Sequence, residues 1–98
     1  MAKRTTSTVQ TPKRERKTAE ELYTANELKF MRRVGRRIAG LRVERDLSQL
    51  QLAQIAKIDR SYLASIEVGA RNAHMLMLQK IGAALKVPAY ELLRVEGF

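Results

Sequence analysis

The fold of this chain is decided by residues 47–67, which read LSQLQLAQIAKIDRSYLASIE. Ser48 and the glutamine three residues after it have the spacing of a capping box, which predicts a helix over about residues 49–57. Asp59 is an N-cap candidate for a second helix over about residues 60–68. Because so few residues separate the two helices, they cannot pack antiparallel, and we expect them to cross at a large angle.

Helical spacing extends outward from this pair in both directions. A long helix is predicted over about residues 27–45, where Phe30, Val34, Ile38 and Leu41 form one apolar stripe. After the pair, helices are predicted over about residues 74–85 and, beyond Pro88, over about residues 89–94. No run of residues alternates with period two, so the sequence predicts an all-α fold of five helices.

The region before the long helix has two possible starting points. Thr18 with Glu21 fits a capping box, and so does Thr24 with Glu27. Because the two compete, residues 19–28 form either a separate turn or the start of one long helix.

Two sets of apolar residues are expected to face the core. They are Leu52, Ile55 and Ala56 in the first short helix, and Met75, Leu78, Ile81, Gly82 and Leu85 in the helix over 74–85. Asn72 is expected to cap that later helix.

Composition excludes several classes of function. The 98 residues suit one domain, and they include no cysteine and a single histidine, His74, so neither a disulfide framework nor a multi-histidine metal site is expected. No apolar run approaches the roughly 18 residues of a membrane span, and the first residues lack the apolar core of a signal peptide. We expect a soluble, cytoplasmic domain without metal or cofactor. An enzyme is not expected, because nucleophiles, bases and paired carboxylates are too few.

The charge of the chain favours a polyanionic partner. A net charge of +9 and a pI near 10.5 point most simply to nucleic acid. Residues 1–18 carry six basic residues, one acidic residue and only three apolar ones. Such a segment cannot bury enough surface to offset its ordering entropy, so we predict a disordered basic tail and a folded domain over residues 19–98. The tail either contacts DNA phosphates or is a solvated leader.

The crossing pair belongs to a longer pattern that resembles the lambda-repressor/Cro-like (Xre-type) helix-turn-helix family. The resemblance covers about residues 34–93. It is carried by Leu47-Ser48-Gln49, Leu52-Ala53, Ile58-Asp59-Arg60-Ser61-Tyr62, Ile66-Glu67, Gly69, Arg71-Asn72 and Leu85-Lys86-Val87. Within the family, the run from Asp59 to Tyr62 and the later Glu67 and Arg71-Asn72 resemble the controller proteins of restriction–modification systems. The resemblance implies a homodimeric, sequence-specific regulator of transcription that binds a roughly palindromic operator in double-stranded DNA.

Candidate base-reading residues lie on the second short helix. A recognition helix enters the major groove through its N-terminal residues, and Arg60 has the fork that binds O6 and N7 of guanine. The other candidates are Ser61, Ala64 and Ser65. The alternative is that Arg60 lies on a solvated first turn.

The resemblance also implies contacts with the DNA backbone or with flanking bases. The residues concerned are Gln49, Tyr62, Arg71 and Asn72. For Gln49 the alternative is a part in helix capping only, and the two roles can also hold together. For Tyr62 the alternative is a half-buried core residue.

One ion pair is expected by family position. Glu67 ends the recognition helix, where the helix dipole opposes a carboxylate. The resemblance pairs it with Arg42 of the first helix, in a structural role. Lys57 stands where many family members have glycine, so it must adopt an unfavourable conformation or alter the turn.

The end of the chain carries more apolar side chains than one domain face can bury. Leu92 is expected to face inward. The others are expected to form an exposed patch, which on so small a unit typically marks an interface: Tyr90, Leu93, Val95 and Phe98. The resemblance implies a homodimer through this last helix. The alternative is that Val95 and Phe98 fold back over the same subunit.

A second function remains open at this stage. An antitoxin of a toxin–antitoxin pair would use the same fold, with a terminal segment that binds a toxin. Contact with RNA polymerase is a further partner prediction. Residues 48–57 contain no Asp or Glu, which argues against activation through acidic residues of that helix.

Overall fold

The computed structural model describes residues 17–98, so the first 16 residues of the predicted tail lie outside the described residues. Residues 17–98 form six α-helices and no strand. They are α1 (Ala19–Leu22), α2 (Ala25–Glu44), α3 (Gln49–Ala56), α4 (Arg60–Glu67), α5 (Met75–Leu85) and α6 (Ala89–Leu92). The all-α prediction is confirmed, and α2 to α6 are the five predicted helices, with α1 as an additional turn. None of the described helices combines the length and the apolar character needed to cross a membrane.

The two competing helix starts are both used. Glu21 accepts the backbone N–H of Thr18 at 2.8 Å and opens α1, and Glu27 accepts that of Thr24 at 2.9 Å and opens α2. Tyr23 has an extended backbone (φ −130°, ψ 149°), which separates the two helices. Each capping box therefore starts its own helix.

The core lies between α2, α3, α4, α5 and α6. Its fully buried side chains are Ile38, Leu52, Leu63, Ile81, Leu85 and Leu92. The inward position predicted for Leu92 is thus confirmed.

Two residues predicted to be buried are exposed. Ile55 is 54% exposed because α3 packs through Leu52, Ala53 and Ala56, and Ile55 lies roughly 100° around the helix from the centre of that face. Met75 is 83% exposed because it begins α5, whose first buried residue is Leu78, so the first turn extends past the core.

His74, and not Asn72, caps α5. The Nδ1 atom of His74 accepts the backbone N–H of Met77 at 3.2 Å. The prediction for Asn72 is wrong because the chain stays in the loop for two more residues before the helix begins.

The turn between α3 and α4 contains a strained residue. Lys57 adopts the left-handed conformation (φ 59°, ψ 49°), so the turn keeps its shape without a glycine. The backbone N–H of Ile58 then donates to the Ala53 carbonyl at 2.9 Å, which closes the end of α3.

Lys57→Gly is expected to raise the free energy of unfolding by about 1 kcal/mol, because glycine adopts this conformation without steric cost. Urea denaturation followed by circular dichroism measures the change. Gln54→Gly, in the exposed interior of α3, is the control and should lower the free energy by about 1 kcal/mol. A fall for Lys57→Gly would show that the lysine side chain outweighs the strain.

The segment after α6 folds back along α2. Arg37 donates to the carbonyl oxygen of Glu91 at 2.5 Å and to its carboxylate at 3.1 Å, and Arg33 donates to the Glu96 carbonyl at 2.6 Å. Phe98 packs edge-on against Phe30, with the ring centroids 5.0 Å apart. Two arginines of α2 therefore hold the C-terminal segment on its own subunit.

This arrangement changes the predicted interface patch. Val95 packs against the core and Phe98 against Phe30, so the expected exposed place of Val95 is wrong and the alternative, in which Val95 and Phe98 fold back over the same subunit, is the one observed. Tyr90, Phe98 and Leu93 remain partly on the surface, with exposed fractions of 67%, 51% and 41%. The exposed patch is thus narrower than the sequence predicts.

Candidate nucleic-acid interface

Helix α4, the predicted recognition helix, has one face buried in the core and a polar face on the surface. Asp59 accepts the backbone N–H of Tyr62 at 3.0 Å and so starts the helix. Leu63 and Ile66 are buried against the core, with exposed fractions of 0% and 2%. The opposite face of the first turn is left for surface residues.

The base-reading candidates differ in exposure. Arg60 and Ser61 are exposed in the first turn of α4, while Ala64 and Ser65 are half-buried. The hydroxyl of Ser65 donates to the Tyr62 carbonyl at 2.8 Å, so its proton is already engaged within the helix. Arg60 and Ser61 are therefore the donors best placed to reach a base edge.

The loop after α4 packs against the first turn of the same helix. The guanidinium carbon of Arg71 lies 5.2 Å from the centre of the Tyr62 ring, within the range of a cation–π contact. Tyr62 is half-buried and packs on the core, so it has a core side and a surface side. Asn72, next to Arg71, is exposed. The structure thus brings these three predicted contact residues to one edge of α4.

The expected ion pair between Arg42 and Glu67 is present. Nε of Arg42 donates to one carboxylate oxygen of Glu67 at 2.8 Å, and Nη2 donates to the other at 3.1 Å. A third N–H of Arg42 donates to the Leu47 carbonyl at 2.8 Å. The hydrogen bond to Glu67 raises the pKa of Arg42 above its ordinary value, against the opposing effect of burial. The pair joins α2 to the end of α4 and points neither residue outward.

Gln49 is a further member of this cluster. Its side-chain amide donates to Glu67 at 2.9 Å, while the capping box of α3 is made by Ser48 and Gln51. The capping alternative for Gln49 is therefore wrong, and its predicted phosphate contact stays a prediction. Sequence reasoning missed the link to Glu67. The one available signal was that a buried carboxylate requires several donors.

The fold and the site together define a class of protein. Two short helices joined by a three-residue turn, with an exposed arginine and serine at the start of the second, form a helix-turn-helix unit in a chain of net charge +9. Residues 38–92 match the helix-turn-helix family. The chain belongs to this family of DNA-binding transcription regulators, in its Xre or lambda-repressor-like branch.

Two proteins of known role are similar in sequence. The control protein C.MunI of a Mycoplasma species is 41% identical over 68 residues, which cover 68% of this chain and 89% of that protein. The immunity repressor of Bacillus phage phi105 is 44% identical over 54 residues, which cover 55% of this chain. The chain spans 38% of the length of that repressor.

Two solved structures are similar in fold. The restriction–modification controller protein C.AhdI of Aeromonas hydrophila has a TM-score of 0.62 and 35% identity, over 63% of this chain and 94% of that one. SinR, the master regulator for biofilm formation, in complex with DNA, has a TM-score of 0.59 and 38% identity, over 61% of this chain and 97% of that one. These relatives are regulators, in agreement with the prediction that the chain is not an enzyme.

Proposed function

We propose that this protein is a homodimeric, cytoplasmic regulator of transcription that places α4 in the major groove of a roughly palindromic operator in double-stranded DNA. One observation carries the proposal. Arg60 and Ser61 are exposed at the N-terminal end of a helix whose opposite face is buried in the core. A helix reads base edges with that end, and arginine is the usual partner of guanine.

The cluster behind α4 supports this function. Arg42 and Gln49 both bind Glu67, so the end of α4 is joined to α2 and to the start of α3. A helix that is already held in place loses little further freedom on binding, and more of the contact energy then contributes to affinity.

The similar proteins support a narrower proposal, that the operator controls restriction–modification genes. C.MunI is a control protein, and C.AhdI is a controller of a restriction–modification system. Neither description supports the antitoxin alternative. A contact with RNA polymerase stays a prediction.

Arg60→Ala tests the placement of α4. We expect operator affinity to fall by about 1–3 kcal/mol and the preference at one base pair per half-site to relax, because the fork that binds guanine is lost. The operator is first selected from a random DNA pool, and the variant is then measured on the best duplex and on its single-base substitutions.

Arg36→Ala, at an exposed arginine of α2, is the matched control for Arg60→Ala. It removes the same charge and should leave the order of base preference unchanged. If Arg60→Ala kept both the affinity and the preference of the wild type, α4 would not be the reading helix.

Leu93→Glu tests the dimer. Tyr90, Phe98 and Leu93 are the exposed large apolar residues of the C-terminal segment, and a charge among them should prevent self-association. We expect a folded monomer by sedimentation velocity at micromolar concentration, with a steep loss of operator affinity because each half-site is then bound independently. Leu76→Glu, at a leucine of α5 that is 65% exposed, should remain dimeric. A wild-type protein that is monomeric both alone and on operator DNA would contradict the dimer.

A further inference from the structure

A polar groove runs between α1 and the loop that follows α4. It encloses about 500 Å³. One wall is formed by Lys17, Leu22 and Tyr23, and the other by Tyr62, Arg71 and Asn72. Residues of the second wall are predicted DNA contacts, whereas on the first wall only Lys17 has a predicted role, as part of a basic tail that either contacts DNA phosphates or is a solvated leader.

The groove is suited to an anion. Lys17 and Arg71 lie on opposite walls, and the described residues that line the groove include no Asp or Glu. The carboxylates of Glu21 and Glu27 are engaged with backbone N–H groups in the capping boxes of α1 and α2. Glu20 is exposed on α1 and does not line the groove. Two cations therefore face a space without a competing carboxylate in its walls.

Both walls contain contacts within the protein. The guanidinium carbon of Arg71 lies 5.2 Å from the centre of the Tyr62 ring, a cation–π contact that favours this position of its charge. On the other wall, the backbone N–H of Thr18 donates to Glu21 at 2.8 Å, so the residue next to Lys17 is tied to α1. The groove is thus formed by the fold itself, and α1 is the element that gives it a second side.

The groove is continuous with the recognition helix. Tyr62 is in the first turn of α4, two residues after Arg60. Arg60 and Tyr62 thus share the N-terminal end of α4, which is the end that the proposed function places against the duplex, so the sugar–phosphate backbone of that duplex is the polyanion expected beside the groove. Leu22, which is 54% exposed, adds an apolar surface that suits a deoxyribose ring.

We propose that this groove binds the sugar–phosphate backbone of the operator beside each half-site, with Lys17 and Arg71 on either side of the strand. The proposal rests on the proposed function and adds to it a DNA contact from α1, ahead of the helix-turn-helix unit. In this proposal, α1 positions Lys17 across the groove from Arg71.

The salt dependence of binding tests the contact. Each phosphate contact adds about 0.9 to the slope of log affinity against log salt concentration. We expect Lys17→Ala to reduce that slope by about 0.9 on the selected operator while the order of base preference is unchanged. The matched control is Lys80→Ala, which removes an exposed lysine of α5 that does not line the groove and should leave the slope near the wild-type value. Equal slopes for the two variants would overturn the proposal.

A second measurement locates the contact on the DNA. The chain has no cysteine, so Lys17→Cys introduces a single thiol to which an iron–EDTA group can be attached. We expect the tethered iron to cleave the operator backbone beside each half-site, and Lys80→Cys, treated in the same way, to give no localised cleavage. Absence of cleavage from position 17 would overturn the proposal. A groove that receives an acidic peptide instead of DNA would leave both readouts at their control values.

The two proposals fail in different ways. If the wild-type protein selects no duplex from the random pool, the proposed function itself is wrong. If it selects an operator whose recognition depends on Arg60, while the position-17 variants behave as the position-80 controls, only the groove assignment is wrong.

Discussion

Arg42→Ala is expected to lower the free energy of unfolding by about 3–5 kcal/mol, because it leaves Glu67 buried without its ionic partner. The Glu67 side chain is 4% exposed and that of Arg42 is 15% exposed, so the carboxylate depends mainly on protein donors and has little contact with solvent. Only the amide of Gln49 would still donate to the carboxylate. A domain of this size has a total stability of about 5–15 kcal/mol, so the loss is a large share of it. Urea denaturation measures the change.

Two further variants show whether the loss of stability in Arg42→Ala comes from the burial of an unpaired charge. Arg94→Ala breaks a pair with Glu91 in which the arginine side chain is 71% exposed, and we expect a change within about 1 kcal/mol. The double variant Arg42→Met with Glu67→Leu removes both charges together and should recover much of the stability lost in Arg42→Ala. If Arg42→Ala were no more harmful than Arg94→Ala, the pair would contribute nothing beyond a surface contact.

Gly35→Ala is expected to lower the free energy of unfolding by about 1–3 kcal/mol, even though alanine favours a helix more than glycine does by about 1 kcal/mol. A Cβ atom at Gly35 would lie 2.5 Å from the carbonyl oxygen of Glu67 and closer still to that of Ile66. Both are backbone atoms, so α2 and the end of α4 would have to move apart. The variant should therefore also displace the recognition helix and weaken operator binding.

Gly40→Ala is the matched control, since it makes the same substitution in the same helix. Nothing lies within 4 Å of a Cβ atom at Gly40, so the variant should be more stable than the wild type by about 0.4–1 kcal/mol. Thermal and urea denaturation of the two variants should thus shift in opposite directions. Shifts of the same sign and size would show that the close approach of α2 to α4 is not needed.

Local signals in the sequence predicted most of the helix boundaries. Thr24, Ser48 and Asp59 each cap a helix where the sequence predicted a start, because a cap depends on residues only two or three positions away. Because each cap was judged only from its nearest residues, the capping boxes at Thr18 and Thr24 were treated as competing, although both form in the structure. The Arg42–Glu67 pair came from family position, and composition alone would not have found it.

The errors lie where a prediction depended on neighbours distant in sequence. Ile55 and Met75 have helical spacing that suits burial, yet the packing of short helices left one on the outer face of α3 and the other beyond the core. Val95 was expected in the exposed patch, with a fold-back over the same subunit as the alternative, because nothing local shows that Arg33 and Arg37 of α2 bind the C-terminal segment. The amide of Gln49 is directed to Glu67, a residue 18 positions away.

The sequence by itself determined the all-α class, the helix-turn-helix pair and the basic character that points to DNA. Periodicity and helix caps depend on residues within a few positions of one another, and net charge is a sum over the whole chain. None of the three requires knowledge of the packing. Tertiary structure alone decided which of the polar residues are engaged inside the protein and which remain on the surface. It also brought Lys17 and Arg71 to the same groove. That groove lies between α1 and the loop after α4, and it forms only when α1 packs on α2 and α2 packs on α4.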